Sequence, residues 1–164
     1  MKIFTEENYS KSIIVTGAEM QDLKNNWISV LPQLPNNFYY EVSEIVEEMT
    51  PGTTGMTFNG SYVDGVGFHY ANSGTTKGLL SGLQKLNPAG GVCIKRPSFD
   101  KTDYEASATL GDFIQSIQGS GVVLSATNAE EMYTAGNGVF RFIFEYTVKR
   151  FGSSTRTMLE VDGL

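Results

Sequence analysis

The sequence predicts an α+β domain: an antiparallel-rich sheet with two or three helices packed on one face and a long C-terminal β-hairpin. Three observations lead there. Val139 to Phe151 alternates apolar and polar residues, with Phe140, Phe142, Phe144, Tyr146 and Val148 on one side and Arg141, Glu145, Thr147 and Lys149 on the other, the mark of a strand with one dry and one wet face. Thr16-Gly17-Ala18-Glu19 and Thr102-Asp103-Tyr104-Glu105 both match the capping box that opens a helix. Short apolar runs separated by single glycines fill the rest, as in one domain with many turns.

Taken in order, Ile13 to Val15 is a short strand. The first capping box starts a helix carrying Met20, Leu23, Trp27, Val30 and Leu31, which Pro32 ends. Phe38 to Met49 carries two signals. Phe38, Val42, Ile45, Val46 and Met49 fit a helical face, whereas Phe38-Tyr39-Tyr40 favours a strand; the reading is a strand, with a helical turn from Glu44 left open. Met56 to Tyr70 reads as a hairpin whose loop, Asp64 to Val66, keeps Tyr62 and Phe68 on one face. Thr75 to Leu86 reads as a helix with Leu79, Leu80, Leu83 and Leu86 on one side, and Val92 to Lys95 as a strand. The second box opens a helix through Ala106, Leu110, Phe113, Ile114 and Ile117 that stops at Gly119. Val122 to Ala126 is a strand. After Val139 to Phe151, Gly152-Ser153-Ser154 offers a turn and Thr155 to Val161 can pair back.

The totals bound the function. One domain spanning residues 1–164 suits the length, and a chain 40% hydrophobic and 18% charged holds a true core. A net charge of −6, with few and scattered Lys and Arg, argues against direct binding to nucleic acid or to an anionic membrane. Residues 1–11 lack the apolar core of a signal peptide, so the expected location is a virion or the cytoplasm.

Chemistry is sparse. Cys93 and His69 are the sole residues of their types and could form a thiolate–imidazole pair. The local pattern instead puts His69 at the surface and Cys93 in a strand core. Gly74-Thr75-Thr76-Lys77-Gly78 has phosphate-loop composition in the wrong order, and Gly78-Leu79-Leu80-Ser81-Gly82 misplaces the serine of a hydrolase elbow. Glu41, Glu44, Glu47 and Glu48 read as a solvated acidic face rather than a cation site. The sequence therefore assigns no catalytic residue, metal or cofactor. It favours a non-enzymatic assembly protein, a homo-oligomer or a partner of other virion proteins, with Arg141, Glu145 and Lys149 as candidate interface residues. A capped helix early, an irregular glycine-rich middle and a long aromatic strand late give a chain that resembles, in outline, a small bacteriophage neck or tail protein. The alternative is a binding module or small enzyme with a pocket lined by Tyr39, Tyr40, Tyr62, Tyr70 and Tyr104.

Overall fold

A computed structural model describes residues 7–58, 66–83, 90–97, 110–126 and 133–151. Among these described residues, ten strands and two short helices follow in the order β1 (Tyr9–Thr16), α1 (Gly17–Gln21), β2 (Ile28–Leu31), β3 (Phe38–Thr50), β4 (Thr57–Phe58), β5 (Val66–Asn72), β6 (Thr75–Gly82), β7 (Gly91–Lys95), α2 (Leu110–Ile117), β8 (Gly121–Ala126), β9 (Tyr133–Ala135) and β10 (Val139–Arg150). Two antiparallel four-stranded sheets form, β1-β10-β3-β7 (sheet A) and β2-β8-β5-β6 (sheet B), with a small β4-β9 pair beside them. This corrects the α+β expectation. The apolar face of the long final strand is covered by a second sheet, not by helices.

The core lies between the sheets. Phe140, Phe142 and Phe144 of β10 are buried as the alternation requires. Phe68 of β5 meets Phe142 and Phe144 edge-on, with ring centroids 5.2 and 4.9 Å apart. Such edge-to-face pairs bring the positive rim of one ring to the negative face of the next. Ile45 and Met49 of β3, Val122 and Leu124 of β8 and Val30 and Leu31 of β2 complete the layer. The Tyr70 hydroxyl donates to the Tyr40 carbonyl oxygen at 2.9 Å, a hydrogen bond from sheet B to sheet A.

Several elements depart from the sequence reading for identifiable reasons. The capping box at Thr16 forms as expected: the Glu19 backbone N–H donates to Thr16 Oγ1 at 3.3 Å, and the Thr16 N–H donates to Glu19 Oε2 at 2.8 Å. The helix nevertheless stops at Gln21 instead of reaching Leu31. Asp22 collects the side-chain amides of Asn25 (2.8 Å) and Asn26 (2.5 Å) and closes a turn, the local bonding by which Asp and Asn compete with a helix. Ile28–Leu31 then pairs with β8 as a strand. Leu23, Val30 and Leu31 are still core residues, so burial was legible where the element type was not.

Thr75–Gly82 is likewise a strand, not a helix. Its leucine spacing fits both periods, but Asn72-Ser73-Gly74-Thr75 makes a tight turn with positive φ at Ser73 (49°) and Gly74 (78°), the hairpin geometry that returns β6 along β5. Gly78 admits α2 here: a Cβ at that position would lie 2.8 Å from the Phe113 ring. Phe38–Thr50 is strand throughout, settling the open question at Glu44. The Met56 to Tyr70 hairpin is overturned: β4 pairs with β9, whereas β5 pairs with β6 and β8, and the proposed loop with Tyr62 lies mostly outside the described residues. The strands at Ile13–Val15, Val92–Lys95 and Val122–Ala126 are present, as is the helix ending before Gly119, whose φ of 69° suits a glycine past a C-terminus. The second capping box and the return strand Thr155 to Val161 lie outside the described residues. From Val139 to Tyr146, β10 already has a partner on each side, β1 and β3, so a returning strand has no free edge there.

Candidate functional site

The three nominated interface residues all lie on β10 and all point away from the core, on the outer face of sheet A. Register places Arg141 and Glu145 in rows that cross the sheet. Ile14, Arg141, Glu48 and Val92 form one row; Ser12, Ile143, Val46 and Ile94 form the next; Ser10, Glu145 and Glu44 follow. Arg141 Nη1 reaches Glu48 Oε2 at 3.4 Å and its Nε donates to Ser12 Oγ at 3.3 Å. Lys149 Nζ pairs with Glu41 Oε2 at 2.6 Å, and Arg96 Nη2 with Glu44 Oε2 at 3.1 Å. Glu145 stands directly opposite Glu44, a like-charge pair across strands.

Between these charges the face is aliphatic. Ile14 is 69% exposed, Val92 64% and Ile94 55%, with Val139 beside them and Val46 and Ile143 half-buried. Branched residues at these positions follow from strand propensity. Their exposure does not, since covering each would contribute about 1–2 kcal/mol. The sequence reading missed this aliphatic surface because it weighed the charges of β10 without knowing that β1 and β7 lie in the same sheet.

The acidic run is not a solvated face. On a strand its members split between two sides. Glu41, Glu44 and Glu48 are outward and ion-paired, whereas Glu47 points into the sandwich and is fully buried. Lys95 Nζ meets Glu47 Oε1 at 3.0 Å and also donates to the Gly82 carbonyl oxygen, so the ammonium bridges β7 to the end of β6 in the other sheet.

The structure separates Cys93 from His69. Cys93 is half-buried against the core from sheet A, while His69 belongs to sheet B, with parity opposite to the inward Phe68 and Tyr70. His69 is buried, contrary to the surface expectation, because β5 is a central strand shielded on both faces. Its Nδ1 lies 2.9 Å from Ser125 Oγ and 3.1 Å from the Gly67 carbonyl oxygen. Burial lowers the imidazole below its ordinary value of 6.5, opposed by the Gly67 bond. Ser125 is fully buried too, so this pair has no surface on which to meet a substrate.

Of the tyrosines expected to line a pocket, Tyr39, Tyr40 and Tyr70 are described. Tyr39 and Tyr40 point to opposite faces of β3. The Tyr40 hydroxyl donates to the Pro32 carbonyl oxygen at 2.9 Å, and burial, then the neighbouring Tyr146, pushes its phenol up to about 12. Tyr70 is wholly inside and raised further, chiefly by burial. Tyr62 and Tyr104 lie outside the described residues. The Gly74–Gly82 segment is turn and strand, with no helix start to receive an anion. Among the described residues no three His, Cys, Asp or Glu side chains cluster as metal ligands, and no helix is long and apolar enough to cross a membrane. Comparison with protein-family models, curated proteins and solved structures finds no match.

Proposed function

We propose that this chain is a non-enzymatic structural protein, a subunit of a bacteriophage neck or tail, that assembles through the outer face of sheet A. The observation that carries the assembly reading is the set of outward aliphatics, Ile14, Val92, Ile94 and Val139, distributed over three strands of one face. Exposed aliphatics gathered on one face, here with the Arg141–Glu48 pair between Ile14 and Val92, mark a candidate protein–protein contact. Arg141, Glu145 and Lys149 form the polar part of that contact. Glu145, opposed by Glu44, gains from a cation on a neighbour. The phage assignment rests on the outline of the sequence, and the assembly reading is independent of it.

Sedimentation velocity over a wide range of protein concentration tests the reading. The wild-type chain is expected to form a defined oligomer at micromolar protein. Ile94→Asp is expected to weaken association by about tenfold or more while leaving the unfolding midpoint unchanged. Glu145→Lys is expected to alter association in the same assay. A chain that stays monomeric up to the highest soluble concentration refutes self-assembly through this face.

A further inference from the structure

Each four-stranded sheet has two edges, and an unguarded edge is a template for another strand. Three of the four are guarded. β2 has four residues, a register shift between Ser29 and Leu31, and Pro32 directly after it. β6 carries glycines at 78 and 82, and its pairing with β5 shifts register twice. β7 has five residues, turns the charged Lys95 inward and is followed by Arg96 and Pro97. Short strands, bulges, inward charges and prolines are the devices that keep edges from pairing.

β1 has one of them, the inward-facing Lys11, and lacks the others. It runs eight residues, Tyr-Ser-Lys-Ser-Ile-Ile-Val-Thr, in unbroken register with β10, without proline or glycine and with Lys11 as its one charge. No described strand lies on its far side. We infer that a second copy of this chain occupies that edge, its β1 antiparallel to this one about a two-fold axis between the two Ser12 residues. This rests on the self-assembly reading above and names its partner and geometry.

The strand is complementary to its own reverse about that point. Tyr9 faces Val15 of the second copy, Ser10 faces Ile14, Lys11 faces Ile13 and Ser12 faces Ser12. Every pair joins residues of one parity, so the inward set (Tyr9, Lys11, Ile13, Val15) stays on the core side in both copies. Tyr9 with Val15 is a favourable aromatic–branched pair, occurring twice by symmetry. No like charges meet, because each Lys11 lies against an isoleucine. The two A sheets then join edge to edge into one sheet of twice the width, and their outer aliphatic faces become continuous.

The test uses the full chain. In a Cys93→Ala background, Ser12→Cys places two thiols across the axis at antiparallel-pair spacing, within disulfide reach. Mild oxidation is expected to give a covalent dimer with Ser12→Cys and far less with Lys11→Cys, whose copies are offset along the strand. Ser12→Glu is the complementary variant. Its carboxylate can take the Arg141 guanidinium within the monomer, which keeps the domain folded, but opposes its own copy across the axis. It is expected to dissociate the oligomer, whereas Ser12→Gln keeps it. An oligomer that persists in Ser12→Glu, or cross-links equally at positions 11 and 12, overturns the edge inference and leaves assembly through the face standing. A wild-type chain that is monomeric throughout overturns both.

Discussion

Replacing Lys95 by Met leaves the fully buried Glu47 carboxylate without its ammonium. The methionine keeps most of the stem's volume, so the change is electrostatic rather than steric. Removing one member of a buried ion pair costs about 3–5 kcal/mol, because the remaining charge keeps its desolvation penalty and loses its compensation. The bond from Lys95 to the Gly82 carbonyl oxygen, the tie between β7 and β6, is lost as well. With a urea dependence of about 2 kcal/mol per molar, the unfolding midpoint is expected to fall by about 1.5–2.5 M. A further measurement separates charge from packing. The double variant Lys95→Met with Glu47→Leu removes both charges and is expected to return close to wild type. A single variant within about 1 kcal/mol of wild type at neutral pH would refute the claim that Glu47 depends on this lysine.

Phe142→Ala is expected to cost about 3–5 kcal/mol, whereas Arg141→Ala on the opposite face costs less than about 0.5, both read by urea unfolding; equal losses would deny the alternation of β10. Thr16→Ala removes the cap of α1 and is expected to cost about 0.5–2 kcal/mol in the same assay. His69 is lowered by burial, so the unfolded chain takes up its proton first. Its contribution is therefore complete above the ordinary value of 6.5 and is lost progressively as the pH falls below it. Stability measured between neutral and mildly acidic pH is expected to slope less in His69→Gln than in wild type; identical slopes would show that His69 does not titrate on unfolding.

The final strand was legible because twelve residues of alternation leave no competing period. The capping box at Thr16 was legible because it is a local bond pattern, complete within four residues. Element type failed where apolar residues fit both periods, at Met20 to Leu31 and at Leu79 to Leu83. There, Asn25-Asn26 and Ser73-Gly74 were the deciding signals, and both are turn formers. The burial of Glu47 and His69 could not be read at all. Both depend on which strand stands next in the sheet, and β3 with β7 or β5 with β8 are pairings between distant parts of the chain. The outer face was half legible for the same reason: Arg141, Glu145, Lys149 and Val139 lie along β10, but its most exposed aliphatics, Ile14, Val92 and Ile94, come from β1 and β7.

The strand order β1-β10-β3-β7 also fixes a sequence of events on the ribosome. β1 emerges early, yet the strand it pairs with follows every other described element. Until β10 arrives, β1 lacks its partner strand, β3 lacks one of its two, and the core lacks Phe140, Phe142 and Phe144. Such long-range closure is slow, and the waiting strands are open to wrong partners meanwhile. The β1 edge proposed above to pair with a second copy is open to the same pairing in the nascent chain, before the sheet is whole. Slowing translation ahead of Val139 is therefore expected to lower the yield of native protein, by aggregation that a higher chaperone level restores.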